Sequence, residues 1–119
     1  MIVKNHQADR FAAVRALASR FRACVVLKGA GSLIAAPDGR VAVCPWGNPG
    51  MAVAGMGDVL TGVIAALMAQ GLSPWAAACA GVGLHARAGD RSAKECGERG
   101  MLASDLFPHV RELVNVGAG

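Results

Sequence analysis

Large and charged side chains are scarce in this sequence of 119 residues: tyrosine is absent, aromatics make up 4% and charged residues 17%. So few rings, standing apart from the cations, argue against nucleic-acid binding, which pairs a concentrated basic face with stacking aromatics. The net charge of +4 instead suits solvated helix faces, with Arg10, Arg15, Arg20 and Arg22 along one predicted helix and Arg87, Arg91 and Lys94 along another. A mild positive field of this kind can still draw in a small phosphorylated ligand. Long apolar runs are missing too. The most apolar one, Val59–Ala69, ends at Gln70, short of the roughly 20 residues that cross a bilayer, so no membrane partner is expected. Lys4, Asn5, His6, Gln7 and Asp9 leave no room for the apolar core of a secretory leader. Cys24, Cys44, Cys79 and Cys96 have no C-x-x-C spacing. They are expected as small buried hydrophobes of a reducing cytoplasm, with no metal site among them.

What is present is small and apolar. Hydrophobic residues reach 54%, which excludes a disordered chain. Ala and Gly together fill 40 of 119 positions, so backbones can pack closely and bare N–H groups can approach a ligand. Charge is absent over long stretches: of the 46 residues between Arg40 and Arg87 only Asp58 is charged, and between Arg22 and Asp38 only Lys28. Both stretches are expected to be buried, because an unpaired buried charge is costly.

The patterning predicts one α/β unit. Asp9–Phe21 has the apolar spacing of an amphipathic helix, and Cys24–Leu27 reads as a strand covered on both faces. Ser32–Ala36, Pro37-Asp38-Gly39 and Val41–Cys44 read as a hairpin, and Pro45–Gly50 as a loop. Asp58 is expected to open a helix ending near Gln70. Ser73-Pro74 should start another, to about Ala88, and Ser104-Asp105 a last one.

Two segments carry chemistry. Gly55 and Gly57 flank a predicted bend before a helix, so their N–H groups and the helix terminus can converge on an anion. Asp58 beside them can act as a base, or it can merely cap the helix. Val25–Leu27 delivers Lys28, then Gly29, Ala30 and Gly31, then the hydroxyl of Ser32. That pattern fits backbone lying against a nucleotide, or equally a simple turn beside a snorkelling lysine. A dinucleotide fingerprint from Gly55 fails because Leu60 takes the last glycine position, and no G-K-[ST] occurs. His85, on an apolar helix, is expected to be packed and hydrogen-bonded, and Asp90 and Asp105 to stabilise helix ends.

Val26–Ser32, Asn48–Asp58, Leu84–Asp90 and Gly100–Leu106, in this order, resemble the ADP/ATP-dependent NAD(P)H-hydrate dehydratases of the ribokinase-like superfamily. The resemblance implies a three-layer α/β/α fold, of which residues 1–119 would be the C-terminal half, since members of that family are considerably longer. It implies dehydration of hydrated NADH or NADPH, with ADP or ATP and Mg²⁺ as cofactors, in a cytoplasmic homo-oligomer. By the same resemblance Asp58 is the catalytic base and touches the substrate. Gly55, Met56 and Gly57 form an anion hole. Lys28, Gly29, Ala30, Gly31, Ser32 and Gly57 bind the nucleotide, and His85 lies near its pocket. Val53 and Ala54 depart from the family's hydroxyl-glycine pair. Two alternatives stay open: a ribokinase-like small-molecule kinase, told apart by a phosphorylated alcohol as product, and a non-catalytic nucleotide-binding fragment.

Overall fold

A computed structural model describes residues 7–29 and 31–115. Ala30 lies outside the described residues. Helix α1 (Gln7–Phe21) leads into strand β1 (Val25–Leu27), then β2 (Leu33–Ala35) and β3 (Val41–Val43). Helices α2 (Met56–Ala69), α3 (Pro74–Cys96) and α4 (Leu106–Asn115) follow. The strands form one antiparallel sheet in the order β1-β2-β3, with Ile34 opposite Val26 on one side and Ala42 on the other. The predicted hairpin is present, and Asp38 closes its turn by accepting from the N–H and the guanidinium of Arg40.

Side-chain alternation along β2 sorts the core into two layers. Leu33 and Ala35 face α1 and pack with Val14 and Ala18. Ile34 faces the other way, onto Leu60 of α2 and Ala78, Val82 and Ala86 of α3. The result is helix, sheet, helices. A third cluster of Met56, Ala88, Met101 and Leu106 binds α4 to the α2–α3 pair.

Several expectations are corrected. β1 is only half-buried, because the strand covered on both faces is the central β2. Arg22 lies beyond α1 in a left-handed conformation (φ 49°), and Ala23 N–H reaches back to the Ala18 carbonyl to close the helix end. Cys96, the last residue of α3, is exposed rather than buried. Helix α3 continues past Ala88 to Cys96, because Gly89 is not a stop. A Cβ there would overlap the Met51 side chain, so Gly89 serves a close approach, and Gly97 (φ 88°) ends the helix. The charge-free stretch is not uniformly buried either: only Met56 and Leu60 of α2 are, while Thr61, Gly62, Ala65, Met68 and Ala69 are exposed.

Candidate functional site

Helix α2 begins two residues earlier than its only carboxylate suggests. Gly55, in the left-handed region at φ 85°, is the residue before the first turn, and no side chain caps the helix. Asp58 is therefore its third residue, and its carboxylate makes no hydrogen bond or ion pair among the described residues, so the capping reading fails. Gly57 sits inside the first turn rather than in a bend before it. The N–H groups of Gly55, Gly57 and Asp58 have no partner among the described residues, whereas Met56 N–H makes a long 3.4 Å bond to the Val53 carbonyl. Three free donors at the positive end of a helix dipole are chemically suited to an anion, which makes this helix start a candidate seat for one.

Lys28 is brought to this seat from the end of β1. A Cβ built on Gly57 would lie 3.6 Å from its Nζ, with nothing else within 4 Å. The turn after Lys28 is held from two sides. Gly29 N–H donates to Ser32 Oγ and that hydroxyl donates to the Gly29 carbonyl, both at 3.3 Å, while Arg10 donates to the Gly31 carbonyl. The Ser32 hydroxyl thus closes its own turn instead of standing free toward a ligand, as the sequence pattern suggested.

Beside the seat opens a cavity of about 570 Å³, within the usual range for small-molecule sites. One wall is the β1–β2 turn, with Lys28, Gly29, Gly31 and Ser32; the floor includes Met56, Leu60, Val82 and His85. The loop carrying Trp46, Gly47, Asn48, Pro49 and Met51 makes the opposite wall. Asp58 is not part of this cavity. It lines a second, apolar groove of about 450 Å³ on the other side of α2, with Val63, Leu67, Phe107 and Val110. The structure therefore gathers Lys28, Gly29, Gly31, Ser32, Met56 and Gly57 on one side of the α2 terminus and sets Asp58 on the other.

His85 is buried at 4% exposure, and its Nε2 donates to the Met56 carbonyl at 3.0 Å, which assigns the proton to Nε2 because a carbonyl only accepts. Burial pushes its pKa down, the Met56 bond pushes back, and the charge of Lys28 adds to the lowering. A neutral imidazole under the first turn of α2 matches the expectation of a packed, bonded histidine. Asp105 also behaves as expected, accepting from Leu102 N–H just before α4. Asp90 does not: it sits in the interior of α3 and holds the cavity loop instead of a helix end.

A sequence profile described as NAD(P)H-hydrate dehydratase matches residues 1–112. The chain belongs to this family. It is 56% identical over 95% of its length to a bifunctional NAD(P)H-hydrate repair enzyme of Vibrio cholerae, of which it spans 23%. It is 48% identical, again over 95% of its length, to an ADP-dependent (S)-NAD(P)H-hydrate dehydratase of Neisseria meningitidis, spanning 38% of that protein. The chain thus spans about a fifth to two-fifths of these dehydratase relatives. Among solved structures, the ADP/ATP-dependent NAD(P)H-hydrate dehydratase of Bacillus subtilis, co-crystallised with ATP and Mg²⁺, superposes with a TM-score of 0.86 at 29% identity, covering 92% of this chain and 41% of that one. The α/β fold expected from the resemblance to the dehydratases is therefore present. Sequence reading missed the wall formed by Trp46 and Met51 and the tie between Asn48 and Asp90. The available signal was a carboxylate flanked by Gly89 in the middle of a small-residue helix.

Proposed function

We propose that this chain forms the nucleotide-binding, base-carrying part of an NAD(P)H-hydrate dehydratase domain, which uses ADP or ATP to return hydrated NADH or NADPH to NADH or NADPH. One observation carries this reading: the N–H groups of Gly55, Gly57 and Asp58 at the start of α2 have no partner among the described residues, and Lys28 Nζ, at the rim of a cavity large enough for a nucleotide, lies beside Gly57. The β1–β2 turn, residues 28 to 32, lies along the nucleotide, and its terminal phosphoryl group points to the start of α2. There Gly55, Met56 and Gly57 stabilise the transferring phosphoryl group, and the N–H of Asp58 adds a donor. The Met56 donor is the costliest of these to recruit, because its bond to Val53 must be given up.

Asp58 approaches from the far side of the helix end. It takes the proton of the ring hydroxyl, and that oxygen attacks the terminal phosphorus while the shortened nucleotide leaves. The C–O bond then breaks, phosphate departs with the oxygen, and loss of the neighbouring ring proton restores the double bond. No group of three carboxylate, histidine or cysteine side chains among the described residues could hold a metal. Mg²⁺ would therefore arrive on the nucleotide phosphates with most of its water, and its chemistry is charge neutralisation. No described helix is long and apolar enough to cross a membrane; a cytoplasmic location and homo-oligomerisation belong to the same proposal by resemblance to the family. Calorimetric titration with ADP and ATP, followed by an NADHX dehydration assay, tests the reading. Failure to bind either nucleotide would refute it.

A further inference from the structure

Asp90 is half-buried in the interior of α3 and serves no helix terminus. Each of its oxygens has a separate task. Oδ2 accepts from Gly47 N–H at 3.0 Å and Oδ1 accepts from Asn48 Nδ2 at 2.9 Å. Asn48 passes the order on, its Oδ1 accepting from Gly50 N–H at 3.0 Å at the start of the short 3-10 turn Pro49–Met51. Three donors and three acceptors thus form one chain of bonds from helix to loop, with the single negative charge at its helical end.

The loop so held is a wall of the cavity, and it runs through four residues, Ala52–Gly55, into the anion seat of α2. Close packing backs it up, since Met51 lies over Gly89 and Gly50 lies against the Glu98 backbone. These contacts resist separation but do not fix rotation of the Gly47 peptide, whereas the Gly50 peptide is also held through the Pro49 carbonyl, which accepts from Ala52 N–H at 3.1 Å. Gly47 has a φ of 117°, open only to residues without a Cβ, so its peptide is intrinsically free. The directional bonds from Asp90 and Asn48 supply the missing constraint.

We propose that Asp90, through Asn48, is a positioning residue that fixes the nucleotide-facing wall of the cavity and the approach to the α2 terminus. The inference rests on the nucleotide reading above and adds to it a residue remote from the phosphate.

The bond pattern makes a specific demand. Exchanging the two side chains, as Asn48→Asp with Asp90→Asn, preserves all three bonds with the charge moved. The new amide accepts from Gly47 N–H and donates to the new carboxylate, whose other oxygen accepts from Gly50 N–H. Neither single substitution can do so: Asn48→Asp sets two carboxylates face to face, and Asp90→Asn sets two amide donors against each other or deprives Gly47.

The test measures amide hydrogen exchange at Gly47 and Gly50 together with ADP affinity by calorimetry. Each single variant should speed exchange at both amides and weaken ADP binding roughly tenfold, the scale of one lost charge-assisted hydrogen bond. The exchanged pair should recover slow exchange and bring affinity back to within about threefold of the unaltered chain, as coupled residues do in a double-mutant cycle. Arg91→Ala, which breaks the Arg91–Glu112 pair at 3.0 Å elsewhere on α3, should leave ADP affinity unchanged. Recovered exchange without recovered affinity would overturn the positioning role and leave a merely structural tie. Should the single variants not fold, the exchanged pair decides alone: if it folds and binds ADP the proposal stands, and if not it falls. Absence of ADP binding by the unaltered chain would defeat the nucleotide reading itself. That failure is recognisable because the coupling between positions 48 and 90 in exchange would persist.

Discussion

Replacing Gly57 with alanine separates folding from binding at the α2 terminus. Gly57 lies in the first turn of the helix without a positive φ, and the added methyl would lie 3.6 Å from Lys28 Nζ, an ordinary contact with open space elsewhere. Alanine lowers the entropy of the unfolded chain and has the better helix propensity, so stability should rise by about 0.4–1 kcal/mol. With an unfolding entropy of about 2.1 cal/mol/K per residue, that gain raises Tm by about 2–4 °C for a chain of this length. Binding should move the opposite way. A phosphoryl oxygen bonded to both Lys28 and the Gly57 N–H needs about 2.9 Å to each nitrogen. The methyl would occupy that space, since heavy atoms in contact require about 3.5 Å. Losing one charge-assisted bond costs about 1.5–3 kcal/mol, so ADP should bind roughly 10- to 100-fold more weakly. Calorimetry supplies both numbers, Tm from a thermal scan and Kd from titration. A raised Tm with unchanged ADP affinity would refute the placement of phosphate between Lys28 and α2, and a lowered Tm would refute the local geometry.

Asp58→Asn should abolish dehydration of NADHX in a chain able to turn over, while leaving ADP affinity within about threefold, because the residue's N–H is retained; normal turnover would remove Asp58 as the base. His85→Gln keeps a donor for the Met56 carbonyl but cannot titrate. Burial holds the folded His85 pKa below the ordinary value of about 6.5. Its stabilising effect is therefore complete above that value and is lost as pH falls through it toward the lower folded value. Between pH 7.5 and 5.5 the unaltered chain should lose more Tm than the Gln variant, and equal losses would sink the argument. Gly50→Ala would place a Cβ 2.6 Å from the Glu98 carbonyl oxygen and 2.9 Å from Asn48 Oδ1. Backbone cannot yield as a side chain does, so denaturant unfolding should report a loss of about 1–3 kcal/mol, whereas Gly62→Ala, with nothing within 4 Å, should not destabilise.

The hairpin, the start of α3 at Ser73-Pro74 and the Asp105 bond before α4 were legible in the sequence because each rests on local chemistry: a turn glycine, an N-cap hydroxyl, a carboxylate beside a free N–H. Lys28 and Gly57 could be paired only through the resemblance, since their approach depends on how β1 meets α2. Misreadings arose where a residue's meaning depended on a distant partner. The helix expected to end near Ala88 continues through Gly89, on which Met51 lies, and Asp90, expected to stabilise a helix end, is instead bonded to Gly47 and Asn48. The Ser32 hydroxyl looked available until its own turn claimed it. The high content of small residues has a similarly tertiary cause. A Cβ at Gly81 would meet Ile64 of α2 at 2.6 Å, so α2 and α3 touch through a glycine, just as Met51 lies on α3 through Gly89.

Helical geometry also explains why Asp58 and the cavity residues, so close in sequence, face different recesses. At 3.6 residues per turn, positions two apart differ by about 200° around the axis. Met56 and Leu60 share one face and line the cavity. Asp58 lies two residues from each, and Gly62 and Ala66, four and eight residues further on, continue its side along the apolar groove. A carboxylate so placed cannot line the same wall as a nucleotide held by Lys28 and the β1–β2 turn. It can meet that nucleotide only at the end of the helix axis, where the free N–H groups of Gly55, Gly57 and Asp58 project forward. On the proposed reading, a group transferred there would be approached from both recesses. Phosphoryl transfer between two ligands requires that arrangement, with donor and acceptor approaching the phosphorus from opposite sides. A single shared pocket would instead have brought Asp58 against the nucleotide's own phosphates, where like charge opposes binding.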